Sequence, residues 1–288
     1  MGISLLWPLS LLPLIYCFFE KLEDIVTNET KHNLSEWLYS LNRKSKSYNK
    51  WPLLFIKIFD DLFGKKHFTL NCFMRSSIAS FFAVLILFIV WVTLKPNQGA
   101  SFLNNGQILY SFGTFFSINF VIDYISLLET RHIIYLMTKA KNKYPIMILL
   151  LVDFLLTSII GITAWIIFEL LVFNVSFSAI YKKFITLVLQ FNTEIEGHPS
   201  FGIFFYSSYL TSIWVWFFCI STLIFKFISK HKYYNIYNFD KIIDVKNKPL
   251  RTVGIFSCLI VSIIYLFIIT LYCIFWFWIS KVTPLLKR

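Results

Sequence analysis

The sequence predicts an all-α fold: a polytopic transmembrane helical bundle of five or six spans, with interfacial amphipathic helices. Three observations predict it. The 288 residues are 57% hydrophobic and only 15% charged, where a soluble domain carries roughly 25% charged residues. The charges are grouped, so that long uncharged runs alternate with short basic ones. Several of those runs reach the ~20 residues that a helix needs to cross a bilayer.

Five runs qualify as spans: Ser76–Leu94, Ile108–Leu128, Pro145–Phe173, Phe201–Phe225 and Val253–Ser280. The last three exceed the hydrocarbon thickness, so tilt or protruding turns are expected. A sixth run, Ile3–Phe19, is short and carries Pro8 and Pro13, so it either spans or lies at the interface. It lacks the Lys/Arg start and the small-residue cleavage site of a signal peptide. The chain therefore divides into an apolar N-terminal segment (residues 1–19), a region of residues 20–75, and a transmembrane bundle (residues 76–288).

Orientation follows from the basic residues. Glu20–Arg75, Glu129–Tyr144 and Lys226–Thr252 hold 10, 4 and 7 of the 27 Lys and Arg. The six others lie between or beyond these stretches. The rich set is assigned to the cytoplasm, which puts the C-terminus outside, in a plasma or inner membrane. Trp91, Trp165, Trp276 and Trp278, joined by Trp7 if the first segment spans, fall toward the opposite ends, as an aromatic belt would.

Before the first clear span, Trp51, Leu54, Phe55, Ile58, Phe59, Leu62 and Phe63 recur at helical spacing, with Lys57, Asp60 and Asp61 on the other face. Pro52 suits the first turn and Gly64 the stop. Such a helix, followed by Lys65 and Lys66, is expected on the cytoplasmic membrane surface, with Trp51, Phe55, Phe59 and Phe63 toward lipid. The rival placement packs that face under the bundle. Leu34, Trp37, Leu38 and Leu41 show the same spacing. So do Phe177, Ile180, Phe184, Leu187, Val188 and Phe191, where a second interfacial helix or a lid is expected.

Two acidic residues fall inside spans, where an ionisable group costs roughly 2.5–3.5 kcal/mol on insertion scales. Counted from Arg131 and Tyr144, Asp123 and Asp153 each lie roughly 12–14 Å inside the cytoplasmic boundary. Asn119, Asp123, Ser126 and Thr130 form one helical stripe; Asp153, Thr157, Gly161 and Ala164 form another. Small and polar stripes let helices approach and bond across their interface. The stripes are expected to meet, giving a polar site of Asn119, Asp123, Ser126, Asp153 and Thr157. Ser208, Thr211, Ser212 and Thr222 make a similar stripe on the next span. This site reads either as a packed interhelical network or as a site for a proton or cation.

Other chemistries find no support in the pattern. The net charge of +12 sits in loops beside spans, not on a nucleic-acid-binding module, so nucleic acid is not an expected partner. The five cysteines form no CxxC pair and the five histidines are scattered, so no metal or other cofactor is expected. There is no HExxH, GxSxG or glycine-rich phosphate loop. The expected partners are the lipid bilayer and, through helix faces, a second copy or other membrane proteins.

Two runs are distinctive: Ile58–Phe68, leading into Phe73–Ser77, and Asp123–Arg131. They resemble stretches in uncharacterised bacterial multi-pass inner-membrane proteins. The resemblance implies a bacterial inner membrane and brings no activity. The leading functional expectation is a non-enzymatic membrane component acting through assembly or membrane perturbation. The alternative is a channel or ion- or proton-coupled transporter using Asp123 and Asp153. A remote third is an intramembrane aspartyl protease, whose YD and GxGD motifs do not match Ile122-Asp123-Tyr124 and Val152-Asp153-Phe154.

Overall fold

A computed structural model describes residues 7–43, 50–94, 106–140, 142–173, 176, 200–230 and 243–282. Eight helices occur among them: α1 (Trp7–Ile25), α2 (Asn28–Arg43), α3 (Trp51–Phe63), α4 (Leu70–Leu94), α5 (Gly106–Lys139), α6 (Lys143–Phe173), α7 (Ser200–Lys230) and α8 (Pro249–Val282). No strand occurs among the described residues. The segment expected to form a second interfacial helix, Asn174–Phe191, lies outside the described residues apart from Ser176, as do the side chains of Trp7, Trp165, Trp276 and Trp278.

Among the described residues, four helices are long and apolar enough to cross a membrane: Leu70–Thr93, Lys143–Ala164, Ser207–Ile228 and Pro249–Leu271. Their large apolar side chains are exposed on the faces turned from the protein, as with Ile78, Phe82 and Ile89 on α4, Ile148, Leu151 and Ile159 on α6, and Ile263, Leu266 and Phe267 on α8. A helix satisfies its own backbone, so such faces suit a lipid solvent. Of the five or six spans expected, four have candidates among the described residues. The span expected at Ile108–Leu128 does form a helix, but α5 is the least apolar of the five long ones. Past the N-terminal candidate, which stops at Phe19, α1 runs on through the charged residues Glu20, Lys21, Glu23 and Asp24.

The chain forms two compact units, Met1–Lys44 with Phe217–Arg288, and Ser45–Trp216. In the first, α1 packs along α8. Gly254 makes the close approach: a Cβ there would stand 2.7 Å from the Cβ of the fully buried Phe19. The Cys258 thiol donates to the Leu12 carbonyl at 3.3 Å. Glu23, also buried, accepts the backbone N–H groups of Leu250 (2.7 Å) and Arg251 (3.2 Å). These belong to the first turn of α8, whose N–H groups have no partner within the helix and whose dipole favours an anion. Burial pushes the Glu23 carboxyl above its ordinary range, and the two N–H groups pull it back. Leu34, Trp37, Leu38 and Leu41 form the buried face of α2, and Trp37 stacks on Phe218 at 6.4 Å.

In the second unit, α3 has the bounds that Pro52 and Gly64 predict; Gly64 takes φ +88°, the left-handed region glycine tolerates. Its aromatic face is not turned to lipid. Trp51, Phe55, Phe59 and Phe63 are buried, and Phe55, Phe59 and Phe63 surround the Trp214 ring at 4.4, 5.9 and 6.3 Å. Lys57 stays exposed. A face that fills a protein groove cannot also insert into a bilayer, so the surface-helix expectation is corrected here to the packed alternative. Lys65 and Lys66 remain exposed beyond it. Trp91 is likewise a packing residue, in a cluster of α4 and α5 with Val84, Leu87, Phe88, Val92 and Phe116.

Candidate functional site

The helix α5 organises the polar interior of the second unit. It touches α3 and α4 through the elbow that joins them, and α4, α6 and α7 through one buried stripe.

The elbow holds α5 through its C-terminal half. Arg131 donates to the carbonyls of Gly64 and, at 3.3 Å, Lys65. It also pairs with Asp60 at 3.4 Å and lies over the Phe59 ring at 4.9 Å. Arg75 donates to the Asp61 and Leu62 carbonyls at the end of α3, both at 3.0 Å. The Tyr124 hydroxyl donates to the His67 carbonyl at 2.7 Å, and its ring stacks on the imidazole at 4.4 Å. The two distinctive sequence runs therefore meet here. Burial raises the Asp60 carboxyl, and the Arg131 charge opposes that rise.

His67 is 7% exposed, and its Nε2 has no hydrogen-bond partner among the described residues. Burial, and then the Arg131 charge, lower its pKa from 6.5 to about 4. The folded form binds that proton less readily than the unfolded chain. His67 therefore costs no stability above its ordinary pKa, and destabilises progressively as pH falls from 6.5 toward 4. We expect the melting temperature in detergent to drop over this window, and His67→Phe, which keeps a ring on Tyr124, to flatten the drop. Parallel curves for the two proteins would refute the assignment.

The buried stripe has two clusters. In the first, Asp123 (3% exposed) is fully engaged: Ser208 donates to Oδ1 at 2.5 Å and Asn119 to Oδ2 at 2.9 Å. The Asn119 amide also reaches Ser80 on α4 at 3.0 Å and Ser207 on α7 at 3.2 Å. Three helices are thus joined through one amide and one carboxyl. One turn along, Ser126 meets Thr157 of α6 at 3.4 Å.

The second cluster lies one turn further. Asp153 is 1% exposed, and neither of its oxygens has a hydrogen bond among the described residues. The Thr130 hydroxyl lies beside it. Glu129 is within electrostatic reach of Asp153, and both of its own buried oxygens also lack a hydrogen bond.

The stripes on α5 and α6 meet, but Asp123 and Asp153 do not share one site. The helices run antiparallel, with Ser126 opposite Thr157, so Asp153 is level with Thr130. Seven residues, or about 10 Å along α5, separate that level from Asp123. The equal depths expected from sequence fail because Arg131 does not end the helix: α5 continues to Lys139. A proton shared directly between the two aspartates, as in aspartyl proteolysis, does not fit this offset.

Sequence reasoning missed Ser80, Ser207 and Glu129. Ser207 adjoins Ser208, and that adjacency was its signal. Glu129 looks like a boundary marker in the sequence, although no Gly or Pro interrupts the run between it and Lys139. The Thr211 side chain lies outside the described residues. No group of three or more His, Cys, Asp or Glu that could hold a metal occurs among the described residues. Comparison with known proteins gives no match: no family model, curated protein or solved structure is significantly similar to this chain.

Proposed function

We propose that this chain is a multi-pass protein of a bacterial inner membrane, with its basic loops cytoplasmic, that carries a small cation along the polar lane of α5. The observation that carries the proposal is the lane itself. From Asn119 to Thr130 it runs about 16 Å, half the thickness of a ~30 Å hydrocarbon core. All four α5 stripe residues are nearly inaccessible. Polar groups at such depth are costly, and in membrane proteins they mark ion or proton pathways.

Membrane perturbation loses its best element, because the aromatic face of α3 is spent on Trp214. An assembly role keeps one argument: the Asp123 cluster is hydrogen-bonded as a packing network would be. That argument does not extend to Asp153, which is buried without such bonds among the described residues.

The test is flux in liposomes containing the purified protein, read with a pH-sensitive dye and with ion electrodes. Wild type is expected to pass protons or a monovalent cation, and Asp153→Asn to lower the rate at least about tenfold. Asp123→Asn should act mainly through stability. No flux of any small ion would leave the assembly role in its place.

A further inference from the structure

We infer that Asp153 and Glu129 form one proton-binding site, a carboxylate–carboxylic acid pair that takes up a proton and no metal cation. The inference rests on the transport reading above and names its ligand. The two side chains come from adjacent antiparallel helices, α6 and α5. Register puts them at one level: Ser126 opposite Thr157 places Thr130, and Glu129 beside it, against Asp153. All four carboxyl oxygens are buried and without hydrogen bonds among the described residues. Carboxylates in that state have to gain a proton or a cation, because two like charges side by side in a dry interior cannot both stay ionised.

The surroundings favour the proton. The titratable and charged groups near this level are on α5 and the elbow; His132, one turn along α5 from Glu129, is exposed to solvent. Arg131, next but one to Glu129, is committed to Asp60, Gly64 and Lys65. His67 is stacked on Tyr124, with its Nδ1 at 3.8 Å from the Cys72 sulfur. From α6 the titratable group at this level is Asp153 itself. Among the described residues, no cation therefore balances the pair. A metal ion would need several oxygens around it, and Na⁺ and K⁺ have poor substitutes here: Thr130 is the neighbouring hydroxyl, and the carboxyl oxygens are buried although Glu129 as a residue is half-buried. A proton needs only the two carboxyls. It binds as O–H on one and is accepted by the other; on release it leaves as H⁺, and both groups return to carboxylates.

A hydrophobic carbodiimide reads this state without requiring transport. Its nitrogen takes the proton of a buried carboxylic acid and the carboxyl oxygen adds to its carbon, so each reaction leaves one adduct on the side chain. The full-length protein in detergent would be treated at about pH 6 and about pH 9, with and without excess Na⁺ or K⁺, and mapped by peptide mass spectrometry. The expected result is one adduct per chain on Glu129 or Asp153, several-fold less at the higher pH, unchanged by either salt, and absent from the Glu129→Gln/Asp153→Asn double variant. The two replacements keep shape, and a normal melting curve shows that the variant folds. No adduct on either residue overturns the pair. Protection by Na⁺ or K⁺ overturns the proton in favour of a metal cation. Labelling as expected with no liposome flux keeps the pair and removes the transport reading. Flux without labelling removes the pair alone.

Discussion

Gly254→Ala is expected to destabilise the protein by about 1–3 kcal/mol, the range of core overpacking, and Gly254→Leu to cost more. The sign is the informative part. Inside a helix, alanine is better than glycine by about 1 kcal/mol, so a glycine in open space gains from the change. At Gly254 the new methyl would lie 2.7 Å from Cβ and 3.2 Å from Cγ of Phe19. The atom struck is the root of the side chain, not its far end, so relief requires α1 and α8 to separate. Gly113 supplies the contrast. It also lies in a long helix, and a methyl added there would meet nothing within 4 Å, so Gly113→Ala should be neutral or slightly stabilising. Melting temperatures of the two variants in one detergent decide the matter; a gain at Gly254 would show that the close approach does not exist.

Arg131→Ala is expected to release the elbow. The guanidinium serves four groups at once: the Asp60 carboxylate, the carbonyls of Gly64 and Lys65, and the Phe59 ring. Removing one partner of a largely buried ion pair costs about 3–5 kcal/mol, because the other charge stays behind without compensation. Asp60 is partly exposed, which puts the expected loss near the lower end. Arg131→Lys should recover part of it, since an ammonium restores charge but not the planar fork. Opening can be followed at Cys72, which is fully buried beside His67. In a background lacking the other four cysteines, maleimide should label Cys72 at least about tenfold faster in Arg131→Ala than in wild type. Equal rates would mean that the elbow is held elsewhere.

The helices are legible in the sequence because their signals are local. Pro52, Gly64 and the apolar spacing between them give α3 its limits, and the spacing of Leu34, Trp37, Leu38 and Leu41 gives α2 its buried face. What covers a face is not local. The aromatic side of α3 suits lipid and protein equally, and the deciding residue, Trp214, stands far along the chain on α7. The polar stripes are readable for the same periodic reason, and Ser126 and Thr157 do come together. Their register is not readable. It depends on how far α5 continues past Glu129 and Arg131, charges that look like a water boundary when read alone. In the structure Arg131 is stabilised by the elbow carbonyls and Asp60, so the helix can carry it without ending. Trp91 shows the same limit: a tryptophan near a span end suits an interface, yet here it fills the space between α4 and α5.

The contact of Glu23 with the start of α8 also sets an order of events during synthesis. The carboxylate and its N–H donor Leu250 are separated by 227 positions in the chain, so the ribosome makes α1 long before the residues that complete it. Until α8 emerges, Glu23 has no helix end to cap and Phe19 has no Gly254 to lie against. Long-range closures of this kind are slow relative to local ones. The segment Ser45–Trp216 holds its own elbow and polar lane, and all of its residues are made before α8. The pairing of α1 with α8 is therefore a late seal, and a chain interrupted before α8 would leave Glu23 without the helix end it caps.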